Sequence, residues 1–244
     1  MVLNHVGQRI LPNPRLNFLV DYSPHKFREV VGFAGRESHD GDIRLSHTFD
    51  FEAMRQAAPK VQDSPRKPAK CLVWKDSHMV TNFLRFAQVD VPQLLQRNEA
   101  LRFLLPIRNP IDCALSNLRT GHVAFFGAPD LLSGERPIDA MLSAVLDKIV
   151  WFLGLRDASA RPERFFLFFQ HEIGRRVLEK MLHFLGLPPD EAYLAAVTDA
   201  FRVAGGGYKR RKDQRLLGLY ASLVSRKFDR YPAIRNALLE FALR

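Results

Sequence analysis

Cysteine is scarce in this sequence, and long apolar runs are missing. The 244 residues include two cysteines, Cys71 and Cys113; each lies in an apolar segment, which favours free thiols and a reducing compartment over a disulfide or a metal pair. The N-terminal segment has no apolar core of signal-peptide length, and no run approaches the roughly 20 apolar residues that span a bilayer. We therefore expect a soluble, cytoplasmic protein with no transmembrane segment.

Several motifs that carry chemistry are also missing. The eight histidines show no spacing of the H-E-x-x-H or C-x-x-C kind, so the sequence predicts no metal site. No G-x-x-x-x-G-K-[ST] segment is present, which argues against an ordinary phosphoryl-transfer enzyme. The chain also shows no internal repeat.

The sequence does contain enough apolar residues for a substantial core, together with an excess of basic charge. Hydrophobic residues make up 47% of the chain and aromatic residues 11%, which excludes a disordered protein. A chain of 244 residues fits one domain that covers residues 1–244. The formal net charge of +10 favours anionic partners, such as nucleotides, nucleic acid, acidic glycans or anionic lipid.

Strand-like apolar segments alternate with segments of helical periodicity. The strand-like segments cover residues 71–75, 102–107 and 164–170. This alternation predicts an α/β fold with an open parallel sheet flanked by helices. Ligands of such sheets bind beyond the carboxyl ends of the strands, so the residues that follow each strand matter most. The helical segments are 76–87, 92–100, 110–119, 137–157, 172–187 and 189–204, followed by two more helices at the end of the chain.

The pattern is weaker before the first clear strand. Residues 15–22, RLNFLVDY, fit either a strand or a short helix, and residues 47–58 resemble a short helix. The connection over residues 59–70 is basic and rich in proline, which is typical of a surface loop.

The segment LRFLLPIRNPIDCALSNLRTGH, residues 101–122, leads from an apolar strand directly into a helix. Arg108 follows the strand, and Ser116 lies two turns into the helix. Arginine recognises phosphate or sulfate through two parallel hydrogen bonds, and a helix N-terminus adds backbone donors. Arg108 and Ser116 could therefore bind one anion. The alternative is a local ion pair between Arg108 and Asp112, with Ser116 merely packed.

Residues 107–116, IRNPIDCALS, resemble the 3′-phosphate-binding segment of sulfotransferases that use 3′-phosphoadenylyl sulfate (PAPS). The family pattern is an apolar strand, Arg, Asp or Asn, Pro, any residue, Asp, two or three small apolar residues and then Ser. In the family, the Arg and the Ser hold the 3′-phosphate of the nucleotide. The resemblance therefore implies this role for Arg108 and Ser116, with PAPS as the co-substrate.

Other segments are similar to the same family more loosely. Residues 164–191 resemble its later strand, acidic residue and helix, and residues 71–79 resemble a strand that ends in Lys and a short polar run. The resemblance covers roughly residues 70–190. It implies a P-loop nucleotide hydrolase-like, three-layer architecture. The segment GGGYKRRK, at 205–212, occupies the place of a loop that closes over the nucleotide, which implies cofactor contacts from Lys209, Arg210 and Arg211.

The implied activity moves a sulfuryl group from PAPS to a hydroxyl of a small molecule, a lipid or a glycan, without a metal. Such transfer needs a base near the acceptor hydroxyl and cations that offset the charge of the leaving nucleotide. His78 is the candidate base, Glu172 is the alternative base, and Lys75 is the candidate for stabilising the transferring group. Each has a structural alternative: a surface histidine, a helix-capping carboxylate and a solvated lysine.

One family feature is missing. Members open with a strand and a Gly/Ser/Thr-rich loop that contains Lys or Arg and holds the 5′-phosphosulfate, and no such loop is visible in this sequence. Its absence allows for a sheet without a first strand, and for a degenerate, non-catalytic binding protein. A basic nucleic-acid-binding module is a further alternative, suggested by the charge of +10. Most aromatic residues fall in apolar runs, however, so no nucleic-acid partner is expected.

Overall fold

The computed structural model describes residues 2–4, 7–20, 23–37, 71, 73–75, 79–126, 134–204 and 213–243. The described chain is mostly helical and contains short parallel strands. The strands are β1 (Val2–Asn4), β2 (Val73–Lys75), β3 (Phe103–Ile107) and β4 (Phe165–Phe169). The helices are α1 (Gly7–Ile10), α2 (Pro24–Glu37), α3 (Met79–Phe86), α4 (Val91–Arg97), α5 (Pro110–Arg119), α6 (Pro137–Ala158), α7 (Arg175–Leu185), α8 (Glu191–Ala204), α9 (Gln214–Lys227) and α10 (Pro232–Leu243).

The chain divides into two compact units. The first unit combines residues 1–102 with 173–207, and the second combines residues 103–172 with 208–244. The first therefore contains β1, β2, α1 to α4, α7 and α8, whereas the second contains β3, β4, α5, α6, α9 and α10. The expected segments at 47–58 and 59–70 lie outside the described residues.

The strand pair of the second unit is parallel and continuous over five residues. The register runs from Phe103 opposite Phe165 to Ile107 opposite Phe169. Both strands fall within one residue of the segments expected from their apolar runs, so those two predictions are confirmed. Parallel strands joined through helices are compatible with an α/β fold. In the described chain, however, the strands form two separate pairs rather than one open sheet.

The core of the second unit is formed by one face of the strand pair and by helices. Ile107 and Phe169, at the carboxyl ends of β3 and β4, are both buried in it. Tyr220 is also buried, and its hydroxyl donates a hydrogen bond to the carbonyl of Leu238 at 2.8 Å, which joins α9 to α10. Burial raises the pKa of Tyr220, so it stays protonated as a donor. The helices contribute Ile111, Ala114, Met141, Leu142, Leu146, Leu153, Val224 and Leu238, and Phe228, the residue after α9, is buried with them.

The first unit contains the shorter strand pair. Strands β1 and β2 are parallel over three residues, from Val2 opposite Val73 to Asn4 opposite Lys75. A strand therefore does precede β2 in the chain. None of the helices in the described ranges is both long and apolar enough to cross a bilayer.

Residues 15–20 form turns, so the prediction of a strand or short helix there is wrong. The reason is the buried side chain of Asn17. Its amide donates to the carbonyl of Leu11 at 2.7 Å, and its oxygen accepts from the backbone N–H of Leu19 at 3.1 Å. Asparagine side chains that satisfy nearby backbone groups in this way compete with regular secondary structure.

Candidate anion site at the strand ends

The parallel register places the carboxyl ends of β3 and β4 side by side. Ile107 lies opposite Phe169, so Arg108 and the turn at Gln170–Glu172 leave the sheet at the same edge. This edge is where parallel sheets bind ligands. The structure therefore brings two of the candidate residues, Arg108 and Glu172, to neighbouring strand ends.

The helix that follows β3 begins with a complete cap. Asn109 is the N-cap residue, and its side-chain oxygen accepts from the N–H of Ile111 at 3.0 Å. Pro110 occupies the first helical position, where a missing N–H removes no helical hydrogen bond. The positive end of the α5 dipole therefore lies beside Arg108, and both favour an anion there.

Arg108 is exposed. Among the described residues, no ion pair joins its guanidinium to the carboxylate of Asp112, so the local pair proposed as an alternative is not observed. The five N–H donors of a guanidinium with no such pair are available to a phosphate or sulfate.

Ser116 lies on α5 and is half-buried. The buried stripe of this helix is formed by Pro110, Ile111, Ala114 and Asn117, and Ser116 lies outside that stripe at 100° per residue. Its carbonyl accepts from the Thr120 hydroxyl at 2.9 Å. In the described part of the chain, no protein partner occupies the Ser116 hydroxyl.

Cys113 lies one turn before Asn117 on the inner side of α5. The Asn117 amide donates to the Cys113 carbonyl at 2.9 Å and approaches its sulfur at 3.5 Å. Burial raises the pKa of the Cys113 thiol, and the nearby positive charge of Arg108 opposes this shift. The thiol is therefore neutral near pH 7 and is a poor nucleophile. Cys71 and Cys113 form no disulfide in the described chain, in agreement with the prediction from the sequence.

Glu172 is exposed at the end of β4. Its carboxylate accepts from the backbone N–H of Phe169, the last residue of the strand, at 3.5 Å. The helix after it, α7, begins at Arg175, and its N-cap residue Gly174 provides no side-chain cap. Glu172 therefore stabilises the strand end rather than capping the helix, and its carboxylate stays accessible at the edge of the sheet.

The remaining candidates are placed less completely. Lys75 is the last residue of β2, in the first unit, and its backbone lies opposite Asn4. His78 and the three basic residues of the loop, Lys209, Arg210 and Arg211, lie outside the described residues.

Two residues of this edge have roles that the sequence did not predict: Asn109, which the sequence indicates only as a residue that follows a strand, and Phe241. Asn109 is buried, and besides capping α5 its amide donates to the carbonyl of Phe241 at 3.3 Å. The Asn-Pro pair at a strand end is a recognisable capping signal. Phe241 has no such signal, because it lies 132 residues away in sequence.

No family model matches the chain, and no curated protein or solved structure matches it significantly. Within the ranges that the structure describes, no three His, Cys, Asp or Glu side chains are grouped so that they could hold a metal ion.

Proposed function

We propose that this chain is a PAPS-dependent sulfotransferase with a P-loop-like α/β architecture. One observation carries the proposal: Arg108 is exposed and not paired with Asp112, directly after a parallel strand and before a capped helix that bears Ser116. Together with the Arg-to-Ser spacing of the family motif, this arrangement supports a site for the 3′-phosphate of a nucleotide.

The proposed reaction transfers a sulfuryl group between two oxygens. The acceptor hydroxyl oxygen forms a bond to sulfur while the bond from sulfur to the phosphate oxygen breaks, and adenosine 3′,5′-bisphosphate leaves. The acceptor proton passes to a base, for which His78 and Glu172 are the candidates. Lys75 and the basic loop at 209–211 would offset the negative charge that grows on the leaving phosphate.

The position of Glu172 in the structure supports its role as the base. Its carboxylate lies at the same sheet edge as Arg108, is exposed, and is oriented by the N–H of Phe169. A base that is held by a second group is better placed for proton transfer than a freely rotating side chain. Glu172→Gln would preserve the size of the side chain and remove its basicity.

A second candidate function is nucleotide binding without turnover. The observation that favours it is the short connection between β1, which ends at Asn4, and α1, which begins at Gly7. Phosphate-cradling loops between a strand and a helix use more residues, with several backbone N–H groups directed at the anion. With so short a connection between β1 and α1, the chain could hold the 3′ end of the nucleotide and fail to activate the 5′-phosphosulfate.

Calorimetric titration with adenosine 3′,5′-bisphosphate tests the shared part of both candidates. We expect binding by the wild type and at least about tenfold weaker binding by Arg108→Ala, the usual effect of removing a charged hydrogen-bond donor. The matched control is Arg119→Ala, which removes the same charge from the exposed last turn of α5. No binding by the wild type, or equal weakening by the two variants, would refute the nucleotide site.

Turnover separates the two candidates once binding is established. Transfer of labelled sulfate from PAPS to any member of a panel of hydroxyl acceptors would establish the enzyme and exclude the non-catalytic protein. Binding that weakens steeply with salt for single-stranded nucleic acid, and not for the nucleotide, would instead favour the basic nucleic-acid module.

A further inference from the structure

The last turn of α10 contacts both strand ends of the candidate site. Phe241 is buried, and its carbonyl accepts from the side-chain amide of Asn109, the residue after Arg108. Its ring lies 4.2 Å from the ring of His171, which follows β4. It also meets the ring of Phe169 edge-to-face at 6.0 Å. One residue thus joins the chain segments that leave β3 and β4.

Both the oxygen and the nitrogen of the Asn109 side chain form hydrogen bonds. The oxygen caps α5 through the N–H of Ile111 at 3.0 Å, and the amide nitrogen reaches Phe241 at 3.3 Å. Because Asn109 is buried, losing either partner leaves a desolvated polar group. The side chain is therefore held from two directions, and the backbone between Arg108 and Pro110 is held with it.

We propose that Phe241 is a positioning residue for the anion site, an inference that rests on the proposed nucleotide-binding function. Phe241 acts through Asn109 and His171 and makes no contact with the ligand itself. Its carbonyl holds the Asn109 side chain, and its ring braces the turn after β4 against the same edge. The backbone that carries Arg108, adjacent to Asn109, is then fixed at the strand end, which favours two-point recognition of a phosphate.

The test compares two nucleotides that differ only in the 3′-phosphate: adenosine 3′,5′-bisphosphate and adenosine 5′-phosphate. Binding of each to the full chain is measured by calorimetry for the wild type, Phe241→Leu and Asn109→Ser. Serine preserves the helix cap but removes the amide that reaches Phe241. We expect both variants to bind the bisphosphate about five- to tenfold more weakly, with little change for the 5′-phosphate.

The matched control is Phe152→Leu in α6. Phe152 is buried to a similar degree as Phe241, and its ring meets that of Phe165 at 5.5 Å, at the opposite end of β4. Thermal unfolding should show similar losses of stability for the two phenylalanine variants. A merely structural role would then weaken nucleotide binding in both, whereas positioning weakens it only in Phe241→Leu.

The outcomes separate this inference from the function on which it rests. If the wild type binds the bisphosphate no better than the 5′-phosphate, the proposed 3′-phosphate site is wrong and the inference falls with it. Leucine keeps the backbone carbonyl of Phe241 and removes only its ring, whereas Asn109→Ser removes the amide that this carbonyl accepts from. If the wild type discriminates and both variants discriminate equally well, the site stands and the positioning role is overturned. Equal losses in Phe241→Leu and Phe152→Leu would also overturn it.

Discussion

The two parallel strand pairs of this chain differ in length and in what their ends carry. Strands β3 and β4 run for five residues each and end in the buried pair Ile107 and Phe169. Strands β1 and β2 run for three residues each. The longer pair is fixed by stacked rings at its start, Phe103 and Phe165, 5.3 Å apart, and by a capped helix at its end. The longer pair therefore presents a defined edge for a ligand.

The two tryptophans allow each pair to be followed separately. Trp74 lies in β2 of the first unit, and Trp151 lies in α6 of the second. Fluorescence of Trp151 in a Trp74→Phe background reports on the unit that contains the longer pair. Fluorescence of Trp74 in a Trp151→Phe background reports on the unit that contains the shorter one.

The largest expected effect comes from truncating the longer pair. Phe169→Ala should destabilise the second unit by about 3–5 kcal/mol, because it removes a buried ring and leaves a cavity. Val73 is half-buried in β2, so Val73→Ala should destabilise the first unit by about 1 kcal/mol. Urea denaturation, followed through Trp151 and Trp74 respectively, measures both values. Equal losses would mean that the buried ring of the longer pair adds no stability beyond that of the half-buried valine in the shorter pair.

The next largest effect is expected when the N-cap side chains of α5 and α4 are removed. Asn109 caps α5 and also reaches Phe241, whereas the exposed Asp90 caps α4 through the N–H of Gln93 alone, at 2.9 Å. Asn109→Ala should therefore cost about 2 kcal/mol, and Asp90→Ala about 1 kcal/mol. The urea midpoints of the two variants, compared with that of the wild type, give the two losses of stability. A smaller loss for Asn109→Ala would argue that its second hydrogen bond contributes nothing.

Replacing the glycine that follows a helix should cost the same stability in both units. Gly121, after α5, and Gly186, after α7, have φ angles of 71° and 70°, and nothing lies within 4 Å of an added Cβ. Each Gly→Ala substitution should therefore cost about 1 kcal/mol through the left-handed backbone alone. Thermal unfolding of both variants measures this, and a large difference between them would reveal a contact that the backbone argument omits.

The smallest effect is a pH dependence confined to the first unit. Arg175 donates to both carboxylate oxygens of Glu191, at 2.7 and 2.6 Å, and holds the pKa of Glu191 below its ordinary value. A carboxylate with a lowered pKa in the folded chain adds stability above its unfolded pKa of about 4.3, and this stability is lost as pH falls through the folded pKa. Because the pair is exposed, the contribution is small.

Replacing the carboxylate tests that assignment. Urea midpoints measured through Trp74 between about pH 6 and pH 3 should fall less steeply for Glu191→Gln than for the parent chain. The urea midpoint measured through Trp151 should depend on pH in the same way in Glu191→Gln and in the parent chain. A difference confined to Trp151, or no difference in either signal, would contradict the assignment.

The second unit was largely predictable from its sequence. The run of apolar residues at 102–107, interrupted by Arg108, Asn109 and Pro110, signals both the end of a strand and the start of a helix, because proline fits the first helical position. Helix α5 accordingly begins at Pro110 and ends at Arg119, as expected. Helix α6 ends one residue later than predicted, at Ala158.

The parts that were not predictable depend on contacts or on very short elements. Strand β1 is three residues long, too short for a period of alternation to be visible. Asn17 redirects its segment through hydrogen bonds that local propensity does not reveal. The boundary of α7 moved from residue 172 to Arg175 because Gln170–Glu172 forms a separate turn of 3₁₀ helix. The proposed roles of Arg108, Ser116 and Glu172 stay predictions.

The hydrogen bond between Asn109 and Phe241 also constrains the order in which the unit folds. It closes a segment of 132 residues, and closing so long a segment is entropically unfavourable until the helices between its ends have packed. A refolding chain should therefore regain its helical content first and the hydrogen bond between Asn109 and Phe241 later. Recovery of the proposed nucleotide binding would then lag behind recovery of secondary structure, and the proposed site would serve as a late marker of native packing.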